Sequence, residues 1–276
     1  MQPVKHAIEF QKVSQNNRPM KSVSELRKTG LARALSKLGF CSRSQAATFI
    51  RGGHVRLNGR PCRDIETPVR LGRDRIEVDG NVVAAESCIY LVMNKPRGLV
   101  TTASDEKGRM TVYSLLTDDL PWVAPIGRLD KASEGLLLLT NDSEWGARIS
   151  DPASHLDKTY HVQVGVLADE TLADELVRGV LVGEESLRAK GARVLRLGEK
   201  NSWLEIVLDE GKNRQIRRIL EHLGIPVLRL IRVAIGPLAL RQLARGESRS
   251  LTTSEKIDLD HALKICRGKT PIVEKK

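Results

Sequence analysis

Aromatic residues are scarce in this chain. Three each of Phe, Tyr and Trp among 276 residues leave the core to aliphatic side chains and exclude an RNA-recognition sheet that stacks several bases on rings. The four cysteines, Cys41, Cys62, Cys88 and Cys266, form no C-x-x-C pair and have no cluster of histidines near them. That pattern excludes a zinc module and a disulfide framework, and it predicts reduced thiols. No apolar run approaches the ~20 residues of a membrane span; even the stretch 227–234 is broken by Arg229 and Arg232. The first ten residues carry acid and base where a secretory signal needs an apolar run, so a cytoplasmic location is expected. Gly268-Lys-Thr270 lacks the upstream glycine of a phosphate-binding loop. No metal and no cofactor are expected.

Acid is missing from one long stretch. Between Glu25 and Asp64 there is no Asp or Glu, while nine lysines and arginines fall there, from Arg27 to Arg63. The whole chain carries a net charge of +11. A sustained positive potential recruits polyanions, either nucleic acid or an anionic membrane surface, although a merely basic soluble enzyme has the same composition. With 41% hydrophobic and 29% charged residues the chain can bury a sizeable core. Its length exceeds the usual ~100–200 residues of one domain, which predicts two domains or one large domain with an appendage.

The pattern divides the chain accordingly. Residues 1–24 are polar and without period, and read as a flexible basic arm. A first unit over 25–84 opens with a helical face of Leu31, Ala34, Leu35 and Leu38 closed by Gly39. A second helix starts at the capping-box sequence Ser42-Arg-Ser-Gln45, carries Ala46, Phe49 and Ile50, and ends at Gly52-Gly53. Short alternating strands then lead into Asn58-Gly59 and Asp79-Gly80, both hairpin signals.

From residue 88 to 251 longer strands dominate. Strands are predicted at 89–93, 136–139 (buried on both faces), 159–164 and 203–208. Leu172, Leu176 and Val177 mark a short helix before Gly179, and Ile216, Ile219, Leu220 and Leu223 another, stopped by Gly224 and Pro226. Strands outnumber helices without regular alternation, so the fold class is α+β with a mixed, mostly antiparallel sheet. Residues 252–276 read as a loosely held charged tail in which Leu259, Ala262 and Leu263 allow one or two helical turns. Nothing in the composition forces oligomerisation, and a monomer is expected.

The most unusual stretch runs from Gly127 to Asp142, Gly-Arg-Leu-Asp-Lys-Ala-Ser-Glu-Gly-Leu-Leu-Leu-Leu-Thr-Asn-Asp. Asp130, between Arg128 and Lys131, sits in a polar loop just ahead of a strand too apolar to be exposed. An aspartate in a loop is more often a turn-maker or a helix cap than a catalyst.

Two resemblances bear on that choice. Helix, capped helix, glycine turn and the strand His54-Val-Arg-Leu-Asn-Gly59 resemble the alpha-L RNA-binding domain, whose second helix and flanks lie on structured RNA. This implies Arg43, Ser44, Arg51 and Arg56 as RNA contacts; the alternative is a solvated basic face. Roughly residues 26–251 resemble the bacterial ribosomal-RNA pseudouridine synthases of the RsuA and RluB kind. Four separated motifs carry the likeness: Leu91-Val-Met-Asn-Lys-Pro-Arg-Gly98, the Gly127–Asp142 run, Lys158-Thr-Tyr160, and Glu210-Gly-Lys-Asn-Arg-Gln-Ile-Arg-Arg218. Ser133 stands where that family more often has threonine.

The resemblance implies isomerisation of a uridine in structured ribosomal RNA, free or within an assembly intermediate. The uracil is cut from its ribose, turned and rejoined through carbon five. Asp130 would be the essential aspartate, acting as nucleophile on ribose or base, or as the base that takes a sugar proton. Arg217 would pair with Asp130, unless it is one of several surface arginines. Tyr160 would stack on the flipped uracil, or else be a core tyrosine on a face with Val162 and Val164. Arg128 would fill the gap left by the flipped nucleotide. Lys95 and Arg97 would contact phosphates, with a plain turn at Pro96-Arg-Gly98 as the alternative. A non-catalytic RNA-binding ribosome-assembly factor and a transfer-RNA synthase are the rival readings.

Overall fold

The computed structural model describes residues 28–84, 87–103, 105–117 and 119–267, with side chains as far as Leu263. The predicted arm at 1–24, Arg27, the Cys266 side chain and Gly268-Lys-Thr270 lie outside the described residues.

Helix α1 (Leu31–Lys37) buries Leu31, Ala34 and Leu35. Helix α2 (Arg43–Gly52) begins where the sequence predicts: the Ser42 hydroxyl accepts from the Gln45 amide at 3.2 Å, and Gln45 Oε1 accepts from the Ser42 amide at 3.0 Å. Such reciprocal capping satisfies two otherwise orphaned donors and contributes ~1 kcal/mol. Asn58, Gly59, Asp79 and Gly80 have φ of 53°, 80°, 49° and 84°, the backbone of two tight hairpins that match the strand twist. They fold Val55–Leu57, Arg60–Pro61, Ile76–Val78 and Asn81–Val82 into a four-stranded sheet. Val55, Ile76 and Val78 close a core with Leu31, Leu35, Ala46 and Ile50.

The rest of the described chain is built on a nine-stranded sheet. Its main order is Gly191–Leu197, Ser202–Leu208, Lys158–Val164, Val227–Ile235, Glu134–Thr140, Tyr90–Lys95 and Ser248–Ser250. Every pairing in it is antiparallel except the one between Val227–Ile235 and Glu134–Thr140, where only Ile231↔Glu134 and Arg232↔Gly135 are in register. Gly135 has a φ of 103°, and a β-carbon there would run into the carbonyl of Arg232. The glycine is what lets the two strands approach.

The leucine run behaves as expected of a strand covered on both sides. Leu136 and Leu138 pack with Trp145 and Ile149 of α3 (Ser143–Ser150), while Leu137 and Leu139 meet Met93, Val112 and Leu129 on the opposite face. In α4 (Glu170–Arg178) the buried face is Leu172, Ala173 and Leu176. Val177, expected in that stripe, is 39% exposed, because it lies one helical step past Leu176. Helix α5 (Gln215–His222) buries Ile216, Ile219 and Leu220 in a cluster with Val162, Val164, Leu204 and Ile206.

For the described residues of the predicted tail, the expectation of a loose segment with one or two helical turns is corrected. Residues Thr253–Arg267 form α6, whose Leu259 and Leu263 are buried in the same cluster as Trp145. The Trp145 indole donates to Asp260 at 2.9 Å, and Lys256 lies over the rings of Tyr90 and Trp145. In the sequence, the charges interspersed along this stretch mask an i, i+4 apolar pair. The two units touch where Lys37 of α1 reaches Glu144 of α3 at 3.0 Å. Among the described residues no helix is long and apolar enough to cross a membrane.

Candidate active site

The loop that carries Asp130 is fastened by its neighbours' contacts to its backbone. Lys95, the last residue of its strand, is fully buried, and its ammonium donates to the carbonyls of Pro96 (3.0 Å), Asp130 (3.2 Å) and Ser133 (2.9 Å). The Gly98 amide donates to the Lys131 carbonyl at 2.8 Å, and the Thr101 hydroxyl to the Leu129 carbonyl at 2.8 Å. Lys95 is therefore not the phosphate contact that the sequence suggested: three carbonyls satisfy its three donors inside the protein. Burial pushes this amine down to about 8, against the opposing charges of Asp130 and Glu134. Arg97, two residues on, is exposed at the surface as expected.

With its backbone held in this way, Asp130 lines a cleft of about 650 Å³, within the ~300–1,000 Å³ typical of ligand pockets. Tyr160 comes to the same cleft from the strand Lys158–Val164. Further along that strand Val162 and Val164 are fully buried, whereas the Tyr160 ring stays partly open at the strand's cleft end. Arg128 is exposed at the rim.

Helix α5 supplies the basic wall. Arg214 caps its N-terminus with a left-handed φ of 48°, and its guanidinium lies 3.5 Å from Asp130 Oδ2. Arg217, one turn later, lines the cleft but donates to the Ala132 carbonyl at 3.1 Å and toward the Ser133 hydroxyl at 3.4 Å. The expected Arg217–Asp130 pair is thus corrected. Residues three apart share a helix face; the one at the helix start reaches the carboxylate, and the deeper one holds the backbone beside it. Burial and then the charge of Arg214 push Arg217 below its ordinary value, with Asp130 opposing. Its Nε is buried without a hydrogen-bond partner among the described residues.

Glu134 follows the loop and is buried. Burial alone would raise its carboxyl, but a two-pronged pair with Arg229 (3.1 and 2.9 Å), helped by Arg245 and Arg97, wins and holds it below the usual range. The pair bolts the two parallel strands together next to Asp130.

The predicted docking residues lie on the first unit. Arg43 and Arg51 on α2, and Arg56 on the strand Val55–Leu57, are exposed and form no ion pair among the described residues. Glu77 faces Arg56 across the sheet, yet its carboxylate goes to Arg75 at 2.8 Å. Ser44 is exposed with its hydroxyl 3.1 Å from that of Ser42. Residues 28–84 hold eleven bases against five acids, and all five acids fall after residue 63.

Among the cleft residues that escaped the sequence reading are Arg214, Lys158 and Arg232. Arg214 and Lys158 stand inside quoted motifs without an assigned role. Arg232 left a plainer signal, an arginine at an inward position of an apolar strand, two residues after buried Leu230.

Comparison with known proteins identifies the family. Residues 89–222 match the RNA pseudouridylate synthase family, and residues 29–76 match the S4 domain. The chain is 36% identical over 227 residues to the ribosomal large subunit pseudouridine synthase B of Bacillus subtilis, covering 82% of this chain and 93% of that one. An uncharacterized RNA pseudouridine synthase of Rickettsia bellii is 38% identical over 80% of this chain and 96% of its own. A crystal structure of a pseudouridylate synthase superposes with a TM-score of 0.59 at 30% identity, over 84% of this chain and 99% of that one. With an RNA-binding S4 domain ahead of its synthase sheet, this chain belongs to the RNA pseudouridine synthases, enzymes that isomerise uridine within RNA.

Proposed function

We propose that the protein isomerises one specific uridine of ribosomal RNA, in the cytoplasm, with the uracil flipped into the cleft. The carrying observation is the convergence of Asp130, Tyr160, Arg214 and Arg217, from three separate segments, on one cleft of about 650 Å³. The ribosomal-RNA substrate is supported by the relative from Bacillus subtilis, whose name specifies the large ribosomal subunit.

The reaction balances without any co-reactant. The bond from ribose C1′ to uracil N1 breaks, a bond from C1′ to C5 forms, the C5 proton leaves and N1 gains one. Asp130 acts either as nucleophile on ribose or base, or as the base that takes a sugar proton. Each role needs a carboxylate held at the reacting atom. The backbone contacts of Lys95, Gly98 and Arg217 keep the Asp130 loop in place, and Arg214 orients the carboxylate. Tyr160 offers the flipped base a flat surface, and base–aromatic stacking of ~1–3 kcal/mol partly offsets unstacking from the RNA. Arg128 at the rim stands where it can fill the gap in the RNA stack. The basic face of Arg43, Ser44, Arg51 and Arg56, with Arg97 nearer the cleft, holds the RNA by its phosphates.

Asp130→Asn keeps shape and removes one charge. Tritium release from RNA labelled at uridine C5 should fall by ~10²–10⁴-fold or more, while RNA affinity stays within about threefold of the parent, given the exposed docking face. Near-parental release by the variant would sink the assignment. Pseudouridine mapping in a deletion strain should show a single missing position in ribosomal RNA, and an unchanged map would remove that substrate.

A further inference from the structure

The floor of the cleft contains two cations that the reaction as written does not use. Arg232 is only 5% exposed. Its Nε donates to the Leu136 carbonyl at 2.7 Å, and its Nη2 is buried without a hydrogen-bond partner among the described residues. Lys158 lies on the neighbouring strand and lines the same cleft, as does Tyr160, the cross-strand partner of Arg232. Burial, followed by the positive charge of Arg232, pushes the Lys158 amine below the ordinary lysine value.

Two carboxylates approach Lys158, those of Asp157 and Asp209, the first engaged elsewhere and the second half-exposed to water. Asp157 is held through both oxygens by Lys190 at 2.7 Å, and Asp209 faces His155 at 3.9 Å. Of the two acids that line the cleft, Asp130 has Arg214, and Glu210 has Lys212 at 3.4 Å and accepts from the Gln215 side-chain amide at 2.6 Å. Arg232 has a carbonyl and no acid. Like charges crowded in a partly dry site oppose folding unless an anion comes to relieve them. A fork-shaped guanidinium beside a point-charge ammonium matches a tetrahedral oxyanion, and in RNA the anionic groups are the backbone phosphates.

We propose that Lys158 and Arg232 form a phosphate subsite on the cleft floor, which takes one backbone phosphate next to the uridine that enters. The proposal rests on the reading of the cleft as the place where that uridine is isomerised. It makes the subsite a positional gauge: the sugar is held through its own backbone while the base lies on Tyr160.

The test is a chemical double-mutant cycle, run in the Asp130→Asn background so that binding is read without turnover. The probe is the ribosomal-RNA stem-loop that the full-length protein protects best, made as a series in which one phosphate at a time becomes a neutral methylphosphonate. One position should weaken binding on the order of tenfold, the scale of a charge-assisted hydrogen-bonded contact. Lys158→Gln should lose a similar factor on the unmodified RNA and lose little more at that one position. Arg232→Gln is the second variant, with its melting temperature measured to separate folding from binding. Two results overturn the subsite: the losses multiply at every position, or both folded variants keep parental affinity for the whole series. A third does so as well, a fall in single-turnover rate at saturating RNA with affinity unchanged in the Asp130-intact protein, because it assigns the two cations to the base. RNA that is bound and never isomerised by the Asp130-intact protein would count against the reading of the cleft and leave the cycle to judge the phosphate.

Discussion

The first unit and the cleft use the same residue types to opposite ends. Arg43, Arg51 and Arg56 are exposed and without an ion-pair partner among the described residues, whereas Lys95 and Arg217 are drawn inward onto backbone carbonyls. A cation in water acts over nanometre distances and tolerates small displacements, because its effect comes through released counterions. A cation bonded to a carbonyl acts over one bond length and fixes the place of the chain it touches. Loss of the first kind should therefore appear in affinity and salt dependence, and loss of the second in stability or rate.

The sharpest break is expected at Gly135, where backbone, not charge, sets the geometry. Gly135→Ala forces a β-carbon toward the Arg232 carbonyl at a positive φ, and should cost ~2–5 kcal/mol of stability by crowding and strain together. Urea unfolding measures it; a loss under about 0.5 kcal/mol would mean that the two strands can part without penalty.

Arg217→Ala comes next. Freed from Arg217, the Ala132 carbonyl and the loop before it can shift, and a displacement on the order of 1 Å costs roughly a hundredfold in rate. The slope of log K against log salt should stay within about half a unit of the parent's, since no phosphate contact is lost. A slope that collapses with this variant would place the docking surface on the wrong unit.

Replacing Arg43, Arg51 and Arg56 together by Gln inverts that outcome. The salt slope should flatten by about 2–3 units, at roughly 0.7–0.9 per phosphate. The rate at saturating RNA should remain within about twofold, since the reacting groups are placed on the other unit.

The smallest effect is a titration. The folded protein holds the Lys95 amine at about 8, below the ordinary lysine value of 10.5. Between those values the unfolded chain binds the proton more tightly, so this group's contribution to stability rises with pH across the window. Activity should move the other way. A neutral amine has two hydrogens for three carbonyls, so the Asp130 loop loosens and the rate constant should drop by ~2–3-fold as pH rises through 8. A Lys95 side-chain 15N signal titrating at 10 or above would refute the coupling.

Legibility in the sequence followed how local the cause was. The capping box of α2 and the Asn-Gly and Asp-Gly turns are decided within four residues, and they appear where predicted. The four leucines at 136–139 needed only the rule that a strand this apolar is covered twice. Lys95 was misread because exposure is the ordinary fate of a lysine in a turn; what reverses it is a set of carbonyls 35 and 38 residues away. The resemblance named Arg217 as the partner of Asp130, but a motif read along the chain could not choose between two arginines one turn apart for a carboxylate 84 residues from the nearer one. In α6 the acids and lysines hid two leucines whose partner, Trp145, lies more than 100 residues upstream.

The single parallel contact in the sheet has a mechanical meaning. On one side of it five strands, Leu238–Ala239 included, are laddered around Tyr160, Lys158 and Arg232; on the other, four strands, Ala124–Ile126 included, carry the Asp130 loop and its clamp. Each block is antiparallel within itself, the first with register shifts at Thr159/Tyr160 and Gln163/Val164, and in the backbone pairing Ile231↔Glu134 and Arg232↔Gly135 key one block to the other. The gap between the Asp130 carboxylate and the Tyr160 ring therefore belongs to neither block. A slip of one residue along this two-rung key would carry the whole Asp130 block ~3.3 Å past the tyrosine, more than any hydrogen bond spans in tolerance. Gly135 and the Glu134–Arg229 pair, at the key itself, act as its detent.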